Sequence, residues 1–400
     1  MQRVVFLVDM NCFFISCEMT RNPEIIGKPA AVAGNPKNRT GIILAANYEA
    51  RKYGVKTTMV IHQALKLCPN MILVPPDHNF YEAKSQAVMK LLSNYSPIIE
   101  QNSIDEAWLD MTGTEKLFGS PIEIAHKIMD EINEGLGLWC SIGISENKLL
   151  SKIASELKKP MGITELWIKD IPTKLWPLLV TDLYGVGEQT GIKLKNIGIH
   201  TIGDLARYNS KAIFQVFGKQ GIELQRLANG IDDSLVTPHV SGEMKSIGRS
   251  TTLIEDVTNI EDVRNVFLEM CEEIGFDARK NNKKAKTIQV TIKYSDFKSI
   301  TRQISVEPTC LTKDIYEKGF VLLAKNWNIY KPVRLVGVSI SGFEMDCIST
   351  QLSLFDQENV CDIVYNASQK EEKLEKAIDS IRCRLGKNSI SRAIQIKNKK

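Results

Sequence analysis

Residues Thr287–Tyr294 alternate without a break. Ile288, Val290, Ile292 and Tyr294 fall on one side, and Thr287, Gln289, Thr291 and Lys293 on the other. A period of two with a wholly polar second side predicts a strand that puts one face in a core and the other in water. Val336, Val338 and Ile340 repeat the spacing. Ile260–Asp277 and Lys313–Trp327 have the length and apolar spacing of covering helices. Together these elements predict a mixed α/β domain in the C-terminal part of the chain.

The first 165 residues have a different rhythm. Val4–Val8, Ala30–Gly34 and Ile42–Ala46 are short apolar runs that predict strands, and Asn79 to Ser93 predicts a helix. Ile98–Gln101 and Ala107–Met111 predict two strands paired across a Ser-Ile-Asp turn. Ile122, Ala125, Ile128, Met129 and Ile132 make one helical face, and Leu138–Ile144 a further strand. Ser145 reads as the N-cap of a helix that ends at Lys158, before Pro160. From Trp167 to Ile231 the pattern is short helices punctuated by glycine. Leu183-Tyr184-Gly185-Val186-Gly187 and Asn196-Ile197-Gly198-Ile199 read as a helix-hairpin-helix module. Backbone N–H groups near Gly185 and Gly187 could hold a nucleic-acid phosphate without reading sequence. Asp232 to Met244, with Pro238 and Gly242, reads as a linker. Beyond Phe343 the chain turns polar and loses its period until about Lys370, where a short helix is predicted.

Chemistry enters with the acids. The run Val4–Val8 ends in Asp9. Ser103-Ile104-Asp105-Glu106-Ala107-Trp108-Leu109-Asp110 puts two adjacent carboxylates on a tight hairpin. Strands that end in carboxylates are a way to build a divalent-cation site for phosphoryl chemistry, because hard cations take oxygen ligands. Asp9, Asp105 and Glu106 therefore point to an enzyme acting on phosphates. Asp110 reads as structural.

Composition narrows the setting. A chain of 400 residues predicts two to four domains. No apolar run approaches the roughly 20 residues that span a bilayer, and the N-terminus reads as a first strand rather than a signal peptide. A cytoplasmic protein is expected. Nine cysteines lie scattered without a Cys-x-x-Cys pair or a histidine at zinc spacing, as buried apolar residues would in a reducing compartment. Cys12 lies near Asp9, with no histidine close in sequence to activate it. The net charge of +4 says little, but its distribution is uneven. Arg279, Lys280, Lys283, Lys284, Lys286, Lys293, Lys298 and Arg302 crowd one segment against Asp296. Lys387, Arg392, Lys397, Lys399 and Lys400 load the C-terminus. Such excess is an electrostatic footprint for nucleic acid.

At this point the motifs carry a resemblance. Val8-Asp9-Met10-Asn11-Cys12-Phe13-Phe14, Ala46-Asn47-Tyr48-Glu49-Ala50-Arg51, Ser103-Ile104-Asp105-Glu106-Ala107, and Gly143-Ile144-Ser145 leading to Lys159-Pro160 resemble those of the Y-family, lesion-bypass DNA polymerases. The likeness runs from Val4 to about Phe355 and is greatest for the bacterial polymerase IV (DinB) branch. It implies a multidomain α+β protein, a right-hand polymerase. The palm (mixed α/β) would hold residues 1–10 and 80–166, small fingers 11–79, and a helical helix-hairpin-helix thumb 167–233. A linker over 234–244 would lead to an α+β little finger, 245–345, and a tail, 346–400.

The same resemblance implies site roles. Asp9, Asp105 and Glu106 would be the catalytic carboxylates. With the Met10 carbonyl they would hold two Mg²⁺ ions per site for nucleotidyl transfer from a dNTP to a primer 3′-hydroxyl. Tyr48, Arg51 and Lys159 would hold the triphosphate. Phe14 would be the steric gate against a 2′-hydroxyl, with Phe13 beside it. Cys12 stands where relatives usually carry another aromatic. Val32, Ile42 and Thr58 would roof the base pair, leaving a pocket tolerant of damaged templates. Ser246, Arg249 and Lys293 would join Gly185 and Gly187 on primer–template DNA. Gln351-Leu352-Ser353-Leu354-Phe355 matches the peptide that binds the DNA polymerase III beta sliding clamp. A monomer without membrane contact is expected. A polymerase V-like SOS mutagenesis enzyme stays open as an alternative. So does a silent clamp-bound accessory protein, whose mark would be a lost carboxylate. The hairpin, the gate and the DNA-binding modules argue against another palm-type enzyme such as a nucleotide cyclase.

Overall fold

The computed structural model describes residues 2–35, 41–238, 244–343, 358–386 and 389–392, and for 358–369 the backbone alone. Met1–Pro36 with Gly41–Val240 belong to one compact unit, and Ser241–Lys400 to a second. Among the described residues no helix is long and apolar enough to cross a membrane.

The first unit runs β1 (Val5–Met10), α1 (Phe13–Arg21), β2 (Ala30–Ala33), β3 (Ile43–Ala46), α2 (Tyr48–Arg51), α3 (Ile61–Leu67), β4 (Ile72–Val74), α4 (His78–Leu92), β5 (Ile99–Gln101), β6 (Glu106–Asp110), α5 (Glu115–Phe118), α6 (Pro121–Leu136), β7 (Cys140–Ser145), α7 (Lys148–Leu157) and β8 (Ile163–Glu165). Five strands form one sheet in the order β5-β6-β1-β7-β8, and β3-β2-β4 form a smaller one. Every residue of β1 is buried, as befits a central strand covered on both faces. Phe6, Val8 and Met10 pack with Ile124, Ala125, Ile128 and Ile132 of α6. Val5 and Leu7 face the other way, against Trp108 and Val236.

Local chemistry sets the helix ends. Ser120 and Glu123 close a capping box on α6, Pro121 opens it, and Gly137 ends it at φ +66°. The expected α6 stripe is rotated slightly. Ile122 lies at its edge in the first turn and is exposed, while Ile124 is buried. The predicted cap of α7 is corrected by two residues. Ser145 is the last residue of β7, and the Asn147 side chain accepts from the Leu150 N–H to cap the helix. Ser145 donates instead to the Leu166 carbonyl.

α7 is seated on the sheet through Gly143. A Cβ at that position would stand 2.0 Å from the Ser151 carbonyl oxygen and 2.5 Å from the Ser155 nitrogen. Only a glycine lets helix and strand backbones approach so closely.

The helices α8 (Glu188–Asn196), α9 (Ile202–Arg207) and α10 (Ser210–Ala228, broken at Gly218) follow around a separate apolar cluster that includes Leu183, Leu194, Ile202 and Leu224. The start of the expected linker is strapped to the first sheet. Arg3 donates to the Ser234 carbonyl, Val236 is buried beside Leu7, and the Thr237 N–H donates to Glu100.

The second unit contains β9 (Ser246–Val257), α11 (Arg264–Lys280), β10 (Ala285–Tyr294), β11 (Ser299–Thr309), α12 (Thr312–Lys325), β12 (Val333–Phe343) and α13 (Glu358–Leu385). Its sheet has the order β11-β10-β12-β9. Ile288, Val290 and Ile292 pack with Phe267, Ile274 and Ile315 of the helices, so the predicted alternation matches the observed faces. The predicted short helix near Lys370 is in fact the last half of a 28-residue helix. Its first half, with Val360, Ile363, Val364 and Ala367 at helical spacing, lies in the stretch expected to lack a period.

α13 also revises the basic footprint. The Arg279 side chain is 3% exposed and bridges to Asp379 at 2.7 Å and to Glu375 at 3.4 Å. Lys284 pairs with Glu372, and Arg392 with Glu272 and Glu375. These three cations join the tail to α11 and the strand after it, so they do not form an open basic surface.

Candidate active site

The strand pairing of β1 with β6 makes Asp9 and Glu106 direct cross-strand partners. Their side chains therefore leave the sheet on the same side, about 10% exposed in each case. Asp105 precedes β6, and its carbonyl accepts from the Met10 N–H at 2.9 Å, which ties the hairpin turn to the end of β1. Asp9, Met10, Phe13, Phe14, Tyr48, Arg51, Asp105, Glu106 and Lys159 line one cleft of about 350 Å³. Sequence reasoning had named all nine.

α7 supplies what it had not. Lys148 stands over the Trp108 ring, and one turn later Lys152 reaches both acids. Lys152 Nζ lies 3.0 Å from Asp9 Oδ2 and also donates to Glu106 Oε2. Lys159 Nζ lies 2.9 Å from Asp9 Oδ1. Glu156 accepts from both lysines, at 3.3 and 2.7 Å. The carboxylates hold the Lys152 proton more tightly than usual, although burial alone would loosen it. The one legible signal was Lys148, Lys152 and Glu156 at helical spacing, a charged stripe on a half-buried helix.

Neighbouring polar groups orient the acids. Asn102 donates to Glu106 Oε1, and Ser103 Oγ donates to Asp105 Oδ1 at 2.6 Å. Asn11 Nδ2 donates to Ser141 Oγ, and Asn11 Oδ1 accepts from the Met161 N–H at 2.9 Å, which fastens the Lys159 loop to β1. Asp110 lies four residues along β6 from Glu106, and its Oδ1 accepts from the Thr112 N–H, a structural task.

The donor set suits a hard divalent cation. Two register-paired carboxylates already share one cation, the Lys152 ammonium, and a third carboxylate lies on the same cleft. Among the described residues, no three His, Cys, Asp or Glu side chains close into a cage by themselves, and Asp105 Oδ1 accepts from Ser103 Oγ.

The Phe14 ring stacks on Tyr81, whose hydroxyl donates to the buried Glu18. Phe13 is buried in the sheet's core. The Arg51 guanidinium lies over the Tyr48 ring, and its Nε donates to the Ala46 carbonyl. Asn47 caps α2 and also accepts from the Ala30 N–H, which fixes this corner to β2. Burial pushes the Cys12 thiol up, away from the thiolate a nucleophile needs.

The three residues expected to roof the base pair lie on and beside β2 and β3. Val32 is fully buried, with Ala45 as its partner across β2 and β3. Ile42 and Thr58 are exposed, and Leu44, Ala45 and Thr57 beside them line the cleft.

Gly187 is the N-cap of α8, and Gly185 before it has φ +92°. In the second unit, Lys293 and Ser246 belong to the polar face of the sheet, where Thr287 sits between Ser305 and Ser341, and Ser341 beside Ser246. Arg249 has the opposite parity. It reaches over the sheet edge to Glu273 and Asp277 of α11. Gln351, Leu352, Ser353, Leu354 and Phe355 lie outside the described residues.

Comparison with known proteins agrees with this geometry. Residues 8–156 match the impB/mucB/samB family, and residues 244–354 match the C-terminal domain of that family. A Clostridium kluyveri protein named DNA polymerase IV is 56% identical over 400 residues, 100% of both chains. One of the same name from Alkaliphilus oremlandii is 57% identical over 395 residues, 98% of this chain and 99% of its own. DNA polymerase IV 1 of Bacillus subtilis is 37% identical over 397 residues, 99% of this chain and 94% of its own. Among solved structures, a Y-family DNA polymerase chimera matches with a TM-score of 0.76 at 27% identity, over 86% of this chain and 100% of its own. The chain belongs to the impB/mucB/samB family, that of the Y-family lesion-bypass DNA polymerases, with their mixed α/β palm, small fingers, helix-hairpin-helix thumb and C-terminal α+β little finger.

Proposed function

We propose that this DNA-directed DNA polymerase performs error-prone translesion synthesis by two-metal-ion nucleotidyl transfer, with Asp9, Asp105 and Glu106 as its catalytic carboxylates. The observation that carries the reading is the register pairing of Asp9 with Glu106 around a single cation, on a cleft shared with Asp105, Tyr48, Arg51 and Lys159. The three carboxylates and the Met10 carbonyl would hold Mg²⁺. When bound, such ions lower the pKa of the attacking hydroxyl and neutralise charge on the transferring phosphate.

The chain's own groups do the rest. Arg51 offers paired donors to phosphate oxygens and Lys159 a compact charge. Lys159 is already beside Asp9, so a triphosphate drawn to it arrives at the carboxylates. Tyr48 keeps its phenolic proton, since burial raises its pKa, and can donate it to a phosphate oxygen. The Phe14 ring, which lines the cleft, would take the space that a 2′-hydroxyl needs. The carboxylates and cations act by position and charge, with no covalent intermediate on the protein.

DNA would be held by the α8 N-terminus near Gly187 and by the hydroxyl-rich sheet face that carries Ser246 and Lys293. Both are suited to phosphate rather than base contact. Gln351–Phe355 would tether the enzyme, a cytoplasmic monomer, to the beta sliding clamp and raise its local concentration on DNA.

Primer extension on an undamaged template tests the chemistry. Asp9→Asn, Asp105→Asn and Glu106→Gln should each abolish extension while primer–template binding persists. Extension by all three variants would refute the assignment. Deleting residues 351–355 should remove clamp stimulation and spare distributive synthesis.

A further inference from the structure

We propose that Lys152 is a positioning residue that fills the cation place between Asp9 and Glu106 in the DNA-free enzyme, and that Glu156 receives its ammonium when a divalent cation enters. The inference rests on the two-metal reading above and adds a residue that holds the two carboxylates together before substrate arrives.

Three observations lead there. First, Asp9 and Glu106 are register partners, so their carboxylates converge on one point, and Lys152 Nζ occupies it. Both acids are nearly buried. Without a cation, two like charges would face each other in a poorly solvated place. Second, the ammonium has somewhere to go. Glu156 lies one turn further along α7, with Oε1 3.3 Å from the same nitrogen, and its side chain is 52% exposed. A swing of the flexible lysine stem moves the charge from the acids to Glu156 without moving the helix. Third, Lys159 repeats the arrangement on the other oxygen of Asp9, at 2.9 Å, and also reaches Glu156, at 2.7 Å. Two ammoniums thus share three carboxylates, and Glu156 already accepts from both.

A cation that enters must displace Lys152. Its affinity in the DNA-free enzyme is therefore held down by a competing charge a few ångströms away, whose repulsion is only partly screened at this depth. Phosphate oxygens of a bound nucleotide would draw Lys159 away and supply ligands at once. Loading of the site is thereby tied to substrate.

The test is equilibrium Mn²⁺ binding to the full chain without DNA or nucleotide, read by calorimetry or by the free-Mn²⁺ spin-resonance signal, so that turnover plays no part. Lys152→Met should bind Mn²⁺ at least about tenfold more tightly than wild type. Lys152→Arg should restore the weak binding, because it restores the charge. Glu156→Gln should weaken binding, because the displaced ammonium loses its acceptor. The gain in Lys152→Met should vanish when Asp9→Asn is added. Equal affinity in wild type and Lys152→Met, with both sensitive to Asp9→Asn, overturns the role of Lys152 and leaves the metal site standing. Tight binding that ignores Asp9→Asn overturns both. Should Lys152→Met not fold, Glu156→Gln at the exposed end decides, and unchanged affinity there overturns the proposal.

Discussion

The Phe14 ring lies nearly flat on Tyr81, with centroids 4.6 Å apart and planes 17° apart, and His78 meets its edge at 5.7 Å. Tyr81 is itself anchored by its 2.7 Å hydrogen bond to Glu18, which also holds Arg21. A ring fixed from behind cannot yield to a larger sugar. On the proposed reading of Phe14 as the steric gate, its selectivity would rest on this backing as well as on its own size.

Removing the gate should open the pocket to ribonucleotides. Phe14→Ala is expected to raise insertion of an rNTP relative to the matching dNTP by about 10–200-fold, the span that a small steric difference supports. Single-nucleotide insertion with each sugar measures it. An unchanged ratio would show that the ring does not meet the sugar.

Gly143 gives a test of how α7 is seated. Gly143→Ala puts a methyl against the Ser151 carbonyl and the Ser155 nitrogen, backbone atoms that cannot rotate away. The helix must lift, and Lys152 leaves Asp9 and Glu106 with it. A loss of about 1–3 kcal/mol is expected, as for other overpacked positions, together with reduced extension activity. Denaturant unfolding and primer extension check the two effects, and wild-type behaviour in both would contradict the close approach.

The tail helix is held to its unit by charge. Arg279 donates to both oxygens of Asp379, at 2.7 and 3.0 Å, and to the Cys310 carbonyl at 2.9 Å. Glu272 accepts from Arg382 and Arg392. Asp379→Ala leaves the buried Arg279 guanidinium without its bidentate partner and should destabilise the C-terminal unit by about 3–5 kcal/mol, the usual cost of breaking a buried pair on one side. Arg279→Met combined with the same Asp379→Ala should recover part of that loss. Thermal unfolding of the four combinations reads the coupling, and additive effects would deny it.

Acid should loosen the thumb in a predictable direction. Asp204 accepts from the backbone N–H groups of Thr201 and His200, and these bonds hold its carboxyl below the ordinary value. A depressed folded pKa gives stability that is present above the unfolded pKa of about 3.9 and lost as pH falls through the folded value. Asp204→Asn should therefore lower the melting temperature near neutral pH, and the difference from wild type should shrink in acid. A constant difference from pH 7 to pH 3 would rule out this linkage.

Sequence by itself determined the elements whose signal is local. The alternation over Thr287–Tyr294 fixed one face in the core, because a period of two admits no other arrangement beside covering helices. The acids at the end of the first strand and in the hairpin were legible because their positions follow from strand ends. Tertiary structure decided what depends on register and approach. Whether Asp9 meets Glu106 turns on which residues pair across β1 and β6, and one step of slip would separate them. Lys152 became part of the site only because Gly143 lets α7 descend onto β7. Arg279 reads as part of a basic footprint in one dimension, yet its side chain is buried against Asp379 and Glu375 brought near by packing. That Val32 is fully buried and pairs with Ala45 was likewise decided by register. Charge and size are written in the chain, but the partner that neutralises a charge or fills a space is chosen by contacts between residues far apart in sequence.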